Sequence, residues 1–179
     1  YEFNMDLTEA LYRFLAADVV AKPVIEVKGR SVDLTGDWRR ASMVDLVRER
    51  CDVDFREVAD LDEADRVLTS HGVASQPTVG HALVELFEEV VAPTLIEPTI
   101  VFGHPVEISP LAKATTDDPR YVERFELYIG GTEQGDNWTE LNDPVELRRR
   151  FTDEQQRKGE GDDEAHPLDF EFIEAMEHG

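Results

Sequence analysis

The run RFELYIGGTEQGDNWTELND, residues 124–143, constrains the fold more than any other part of the chain. Phe125, Leu127 and Ile129 alternate with Glu126 and Tyr128, the period of a strand with one face against a core. Gly130 and Gly131 follow, and two glycines accept the left-handed backbone of a tight reversal. The residues beyond them return antiparallel, and Glu133 is expected to come back beside Glu126, at hydrogen-bonding separation across a pair. Glu126, Glu133, Asp136 and Glu140 all fall on this hairpin, where mixed charges would be the ordinary choice.

Two opposed carboxylates repel, so they must protonate, splay apart or share a cation. The pair therefore argues for a hard divalent ion such as Mg²⁺, held by few carboxylates and shared with phosphate. The same spacing also allows both side chains to point into solvent. Trp138 and Glu140, on one face of the next strand, would set an aromatic wall beside an anion, a pocket suited to an extended ammonium group. A core Trp next to an exposed acid satisfies that spacing equally well.

Elsewhere the apolar period changes. Leu7, Ala10, Leu11, Phe14, Leu15 and Val19 share one helical face beginning at Asp6, and Pro23 stops the run. VIEVKGRSVDL reads as a hairpin closed at Lys28-Gly29. Ser42 with Asp45 resembles a capping box opening a short helix to Cys51, LDEADRVLTSHG is a helix ended by Gly72, and a longer helix from about Thr78 to Val91 breaks at Pro93. After Pro98, TIVFG and VEISPL read as short strands; the acidic hairpin and a helix from Asp143 to about Lys158 follow. GEGDDEAHP is a polar loop before a closing helix with Leu168, Phe172, Ile173 and Met176 as its apolar residues. The predicted class is α+β with an antiparallel sheet and flanking helices. It divides into a helix and hairpin at 1–41, a helical insertion at 42–96, and active-site strands with following helices at 97–179.

Composition narrows the functional classes. With 179 residues, 41% of them hydrophobic, the chain can build a core. Asp and Glu number 40 against 18 Lys and Arg, and the net charge of −22 is spread along the sequence instead of forming a tail. Scarce lysine beside abundant acids resembles proteins of salt-loving cells, the alternative being an acidic protein from an ordinary cell. The single cysteine, Cys51, excludes an internal disulfide and a multi-cysteine zinc site, which fits a reducing cytoplasm. No apolar run approaches the roughly 20 residues of a membrane span, and no signal pattern opens the chain. Phosphate-loop, dinucleotide-glycine, His-Glu-x-x-His and Gly-x-Ser-x-Gly motifs are absent, and the histidines lack ligand spacing. A start at Tyr1 without methionine leads us to expect a piece of something longer.

Arg124 to Asp143 resembles the signature of the class II lysyl-tRNA synthetases, approximately R-F-E-x-(F/Y)-I-G-G-x-E-(I)-x-N-(G/A)-(F/Y/W)-(S/T)-E-L-N-D. MDLTEALYRFLA, LVELFEEVVAPTLIEPTIV, EISPLA, GDDEA and EAMEHG fall in that family's order. The resemblance implies that Glu126 and Glu133 hold Mg²⁺ against the phosphates of ATP, that Trp138 walls a lysine pocket, and that Glu140 reads the ε-ammonium. The family's pocket asparagine aligns with Asp136, and an asparagine stands one place later at Asn137, so one of these two is expected to meet the substrate. Also implied are formation of lysyl-adenylate from lysine and ATP, transfer to tRNA(Lys), and a homodimer made through regions outside this chain. The arginines of the family's second and third motifs fall outside the chain, so the isolated stretch is expected to be inactive. Two other readings are a paralogue that ligates lysine to a protein acceptor, and an inactive acidic fragment serving as an interaction module.

Overall fold

Helix α1 (Glu2–Phe14) runs into a wider, π-type turn over Leu15–Val19 in the computed structural model, which describes residues 1–159 and 169–178. Apart from Gly159 at the end of a helix, the expected loop at 159–167 with its GDDEA run lies outside those residues, as does Leu168. The apolar pattern marks this helix but not its inward face. Met5 and Ala16 are buried, with Tyr1 and Tyr12 packed beside them, whereas Leu7, Leu11, Phe14, Leu15 and Val19 are exposed. A flexible and a small side chain permit close approach to the sheet, and Tyr12 meets Trp38 edge-on with ring centroids 5.6 Å apart. The bulkier leucines are left on the flank.

Strands β1 (Val24–Val27) and β2 (Arg30–Asp33) form the expected hairpin, and Lys28 and Gly29 both take positive φ in its two-residue turn. A separate four-stranded sheet has the order β3-β4-β5-β6. Its first strand, β3 (Arg39–Ser42), has no signal in the sequence pattern and lies parallel to β4 (Thr99–Pro105). β5 (Tyr121–Tyr128) and β6 (Glu133–Trp138) continue antiparallel.

Between β3 and β4 come α2 (Met43–Cys51), α3 (Leu61–Ser70) and α4 (Val79–Leu86), begun by Ser42, Asp60 and Thr78, whose side chains accept the backbone N–H three residues on. A π-type turn at Phe87–Val91 and a tighter one at Ala92–Thr94 carry the chain past Pro93. The segment VEISPL is not a strand: beyond Pro105, the last residue of β4, Val106–Ile108 form a 3₁₀ turn closed by Ser109 N–H on Val106 O, and Pro110 offers no N–H to resume a ladder. Helices α5 (Pro144–Gly159) and α6 (Phe170–His178) enclose Leu147, Phe151 and Ile173, while Phe172 remains exposed.

Apolar packing lies on both faces of the sheet. Ile100, Phe125, Leu127 and Ile129 meet Met5, Val32, Leu34 and Trp38 on one side. Val101 and Tyr128 join Met43, Leu68, Leu83, Leu86 and Phe87 on the other, where Cys51 is also buried. Gly130 and Gly131, at φ +66° and +68°, make the β5–β6 reversal. A Cβ on Gly130 would overlap Val27 Cγ1, and one on Gly131 would come within 2.7 Å of the Pro93 carbonyl oxygen. The two glycine N–H groups donate to Ile96 O (2.9 Å) and Leu95 O (2.8 Å), so the turn is wedged between the hairpin and the end of the helical segment. Among the described residues no helix is long and apolar enough to cross a membrane.

Candidate functional site

The β5–β6 register pairs Arg124 with Trp138 and Glu126 with Asp136, then shifts by one residue so that Tyr128 faces Glu133. The expected partner of Glu126 is thereby corrected: Asp136, not Glu133, stands opposite it. Gln134 is the extra residue of a bulge. Because 133 and 136 differ by an odd number, simple alternation would send their side chains to opposite faces. The bulge returns Glu133 to the face that carries Arg124, Glu126, Tyr128, Asp136 and Trp138. The helical layer covers the Val101–Tyr128 end of this face, and β6 itself is largely exposed.

Glu126 is 7% exposed, and each of its oxygens is engaged. Arg124 Nη2 donates to Oε1 at 2.7 Å and the Tyr128 hydroxyl to Oε2 at 2.8 Å. His104, fully buried, places Nε2 3.2 Å from Oε2, near enough for an ion pair though angled away from a hydrogen bond. Burial alone would push the Glu126 carboxyl up. The contact and charge of His104, the Arg124 guanidinium and the Tyr128 hydroxyl outweigh it and hold the group at about 2. Burial, reinforced by the Glu126 charge, raises the Tyr128 hydroxyl.

Arg124 serves more than one acid. Its Nη2 also lies 3.1 Å from Asp136 Oδ2, and its Nη1 donates to Ser109 Oγ at 2.9 Å. Glu133 is compensated less: partial burial raises its carboxyl, the charges of Glu126 and Asp136 raise it further, and Arg124 and His104 offset them only in part. Negative charge thus remains in excess on this face. Among the described residues no cluster of three or more His, Cys, Asp or Glu is arranged to cage a metal ion. Mg²⁺ is commonly bound by one or two carboxylates together with substrate phosphates, and the donor set here fits that mode.

Asn137 is separated from these acids. It pairs with Phe125, on the opposite face, and its Oδ1 accepts from Asn4 Nδ2 of α1 at 2.7 Å. Of the two positions expected to meet a substrate, only Asp136 shares the acidic face. Trp138 is half-buried, and its indole N–H is buried without a partner among the described residues. Glu140, exposed, is held through its backbone by a bridge to Ala112. His104, Ser109 and Arg124 were not singled out by the sequence. Arg124 had a readable signal, since 124, 126 and 128 share a strand face; His104 and Ser109 arrive from β4 and the loop after it, which local pattern does not bring to the site. A groove of about 670 Å³ opens elsewhere, lined by Tyr1, Phe3, Arg56, Phe102, Asp118 and Tyr121 among others. It carries acids of its own, Glu2, Asp117, Asp118 and Glu123, with Asp118 paired to Arg120, but none of Glu126, Glu133, Asp136 or Glu140 lines it.

A sheet carrying paired acids on neighbouring antiparallel strands, with helices on its flanks, defines a class. Residues 1–179 match the family model of the class II tRNA synthetases (D, K and N), and the chain belongs to that family. It is 45% identical over 181 aligned positions to the lysine--tRNA ligase of Staphylococcus aureus strain MW2, and 44% identical to that of strain MRSA252. Both alignments cover 100% of this chain, which spans about 37% of the length of these curated relatives.

Proposed function

We propose that the protein containing this chain activates lysine with ATP and passes it to tRNA(Lys), and that this chain supplies the acidic wall of the active site. The observation that carries the reading is the acidic face of β5 and β6, with Glu126, Glu133 and Asp136 beside Trp138 and Glu140 two positions on, in a chain 45% identical to a lysine--tRNA ligase. In the first step the lysine carboxylate attacks the α-phosphorus of ATP; the new O–P bond forms as the bond to pyrophosphate breaks. The chain needs no nucleophile of its own for this, only positioning and compensation of charge. Glu126 and Glu133 would hold Mg²⁺, which when bound neutralises charge on the phosphates. Arg124, spanning Glu126 and Asp136, keeps the carboxylates in register. Trp138 and Glu140 receive the aliphatic stem and ε-ammonium of lysine.

On the same reading, residues 42–96 are a helical insertion between two parts of the catalytic domain, the enzyme is a homodimer through regions outside this chain, and it works in the cytoplasm. The charge of −22 with few lysines marks a surface adapted to high salt. The deciding experiment is Glu140→Gln in the longer protein, read by lysine-dependent ATP–pyrophosphate exchange. Glu140 is exposed in the free chain, so its pair with the ammonium is desolvated only once lysine covers it. Breaking such a covered pair costs roughly 3 to 5 kcal/mol, and lysine KM should rise at least about 100-fold while ATP KM stays within about 3-fold. Unchanged lysine activation, or equal damage to both substrates, refutes the assignment.

A further inference from the structure

Arg150 on α5 is charged yet only 5% exposed. Burying a guanidinium is costly unless its donors are filled. Here Nη1 donates to three carbonyls of one irregular segment, Ala112 O at 2.6 Å, Pro110 O at 3.3 Å and Ser109 O at 3.4 Å, while Nε donates to Glu146 Oε1 at 2.8 Å. The segment so held leads to both halves of the candidate site. Ser109 Oγ accepts from Arg124 Nη1, and Arg124 holds Glu126 and Asp136. Leu141 N donates to Leu111 O and Lys113 N to Thr139 O, both at 2.8 Å, so the same segment brackets Glu140 on either side.

We propose that Arg150 is a positioning residue for lysine recognition: from α5 it fixes the segment from Ser109 to Lys113, whose backbone bonds to Thr139 and Leu141 set the placement of Glu140, while Arg124 keeps its own ion pairs to Glu126 and Asp136 on the ATP side. The proposal rests on the lysine-activating reading above. It requires a planar fork, because a lysine ammonium is a point charge that cannot span these carbonyls and Glu146 together.

The test compares Arg150→Lys with Glu146→Gln, the milder variant that leaves Arg150 in place, in the longer protein. Since misplacing a reacting or binding group by about 1 Å costs on the order of 100-fold, Arg150→Lys should raise lysine KM about 10- to 100-fold with ATP KM within about 3-fold. Glu146→Gln should act in the same direction by less. Amide exchange at Lys113 and Leu141 should accelerate in both variants while Phe125 and Leu127, in the sheet, stay protected. Lysine KM unchanged in Arg150→Lys, lysine and ATP KM rising together, or exchange accelerating throughout the sheet overturns the proposal. A wild-type protein without lysine-dependent exchange of pyrophosphate defeats the functional reading separately, and local exchange at Lys113 and Leu141 then still decides whether Arg150 holds the segment.

Discussion

Replacing Glu126 with glutamine removes one negative charge from a buried network while keeping its shape. The carboxyl sits at about 2 in the folded protein, against 4.5 for a free glutamate. At about 1.4 kcal/mol per unit, that difference corresponds to about 3 kcal/mol of folding stability at neutral pH. A carboxyl depressed by folding stabilises the protein above its unfolded value, and the contribution drains away as pH falls through the folded value. The gap between wild type and Glu126→Gln should therefore be about 3 kcal/mol at pH 7, begin to shrink near pH 5, and largely close by about pH 2. Urea denaturation of both proteins across that range measures it, and the difference cancels the titration of acids remote from Glu126, leaving besides Glu126 itself the change at Glu133, which loses a repelling neighbour. A gap that stays constant between pH 7 and pH 2.5, or that is below about 1 kcal/mol at pH 7, would show that the network around Glu126 does not hold its charge as described.

Three further outcomes are expected. Melting temperature should rise between 0.01 M and 1 M KCl, as the screening length falls from roughly 30 Å to about 3 Å; a flat or falling curve removes the high-salt reading. Gly130→Ala should cost about 2 to 4 kcal/mol in chemical denaturation, from a residue held at φ +66° and a methyl driven into Val27, and adding Val27→Ala should recover only the steric share. Asp136→Asn should change lysine KM by less than about 3-fold and stability by less than about 1 kcal/mol, because Arg124 already offsets the Asp136 charge from 3.1 Å. A steep fall in lysine KM would mean that Asp136 meets the substrate as an uncompensated anion.

Local pattern carried the elements whose cause is local. The Ser42 cap, the Lys28-Gly29 turn and the helix end at Gly72 each depend on a few adjacent residues and stand where the sequence indicates, whereas the expected break at Pro93 does not: α-helical bonding ends at Leu86 and wider and tighter turns run on through Pro93 to Thr94. Strand β3 gave no such signal, because Arg39 to Ser42 are held by a β4 partner far along the chain. The inward face of α1 is not the one its apolar pattern marks, for a related reason: Tyr12 and Ala16 face the sheet because Trp38 and the hairpin stand there, while the leucines that dominate the pattern lie aside. At the site, the acids were legible as a group, but their partnership was not. The two-residue Gly130-Gly131 turn sets Glu133 opposite Tyr128, two positions from Glu126, and the extra residue moves the partner of Glu126 from Gly135 to Asp136; local pattern showed neither that offset nor His104 beneath.

That extra residue leaves the gene some latitude. Gln134 lies outside the strand ladder, and its exposed amide reaches only the nearby Thr132 carbonyl, so substitution by another polar residue should be borne with little effect. Deleting its codon should be borne as well. Without it the strand pairs in strict alternation, with Glu133 still opposite Tyr128 and Asp136 opposite Glu126, two positions apart and on one face. Homologues should therefore vary here in letter and also in length, by one residue, while both acids keep their side of the sheet.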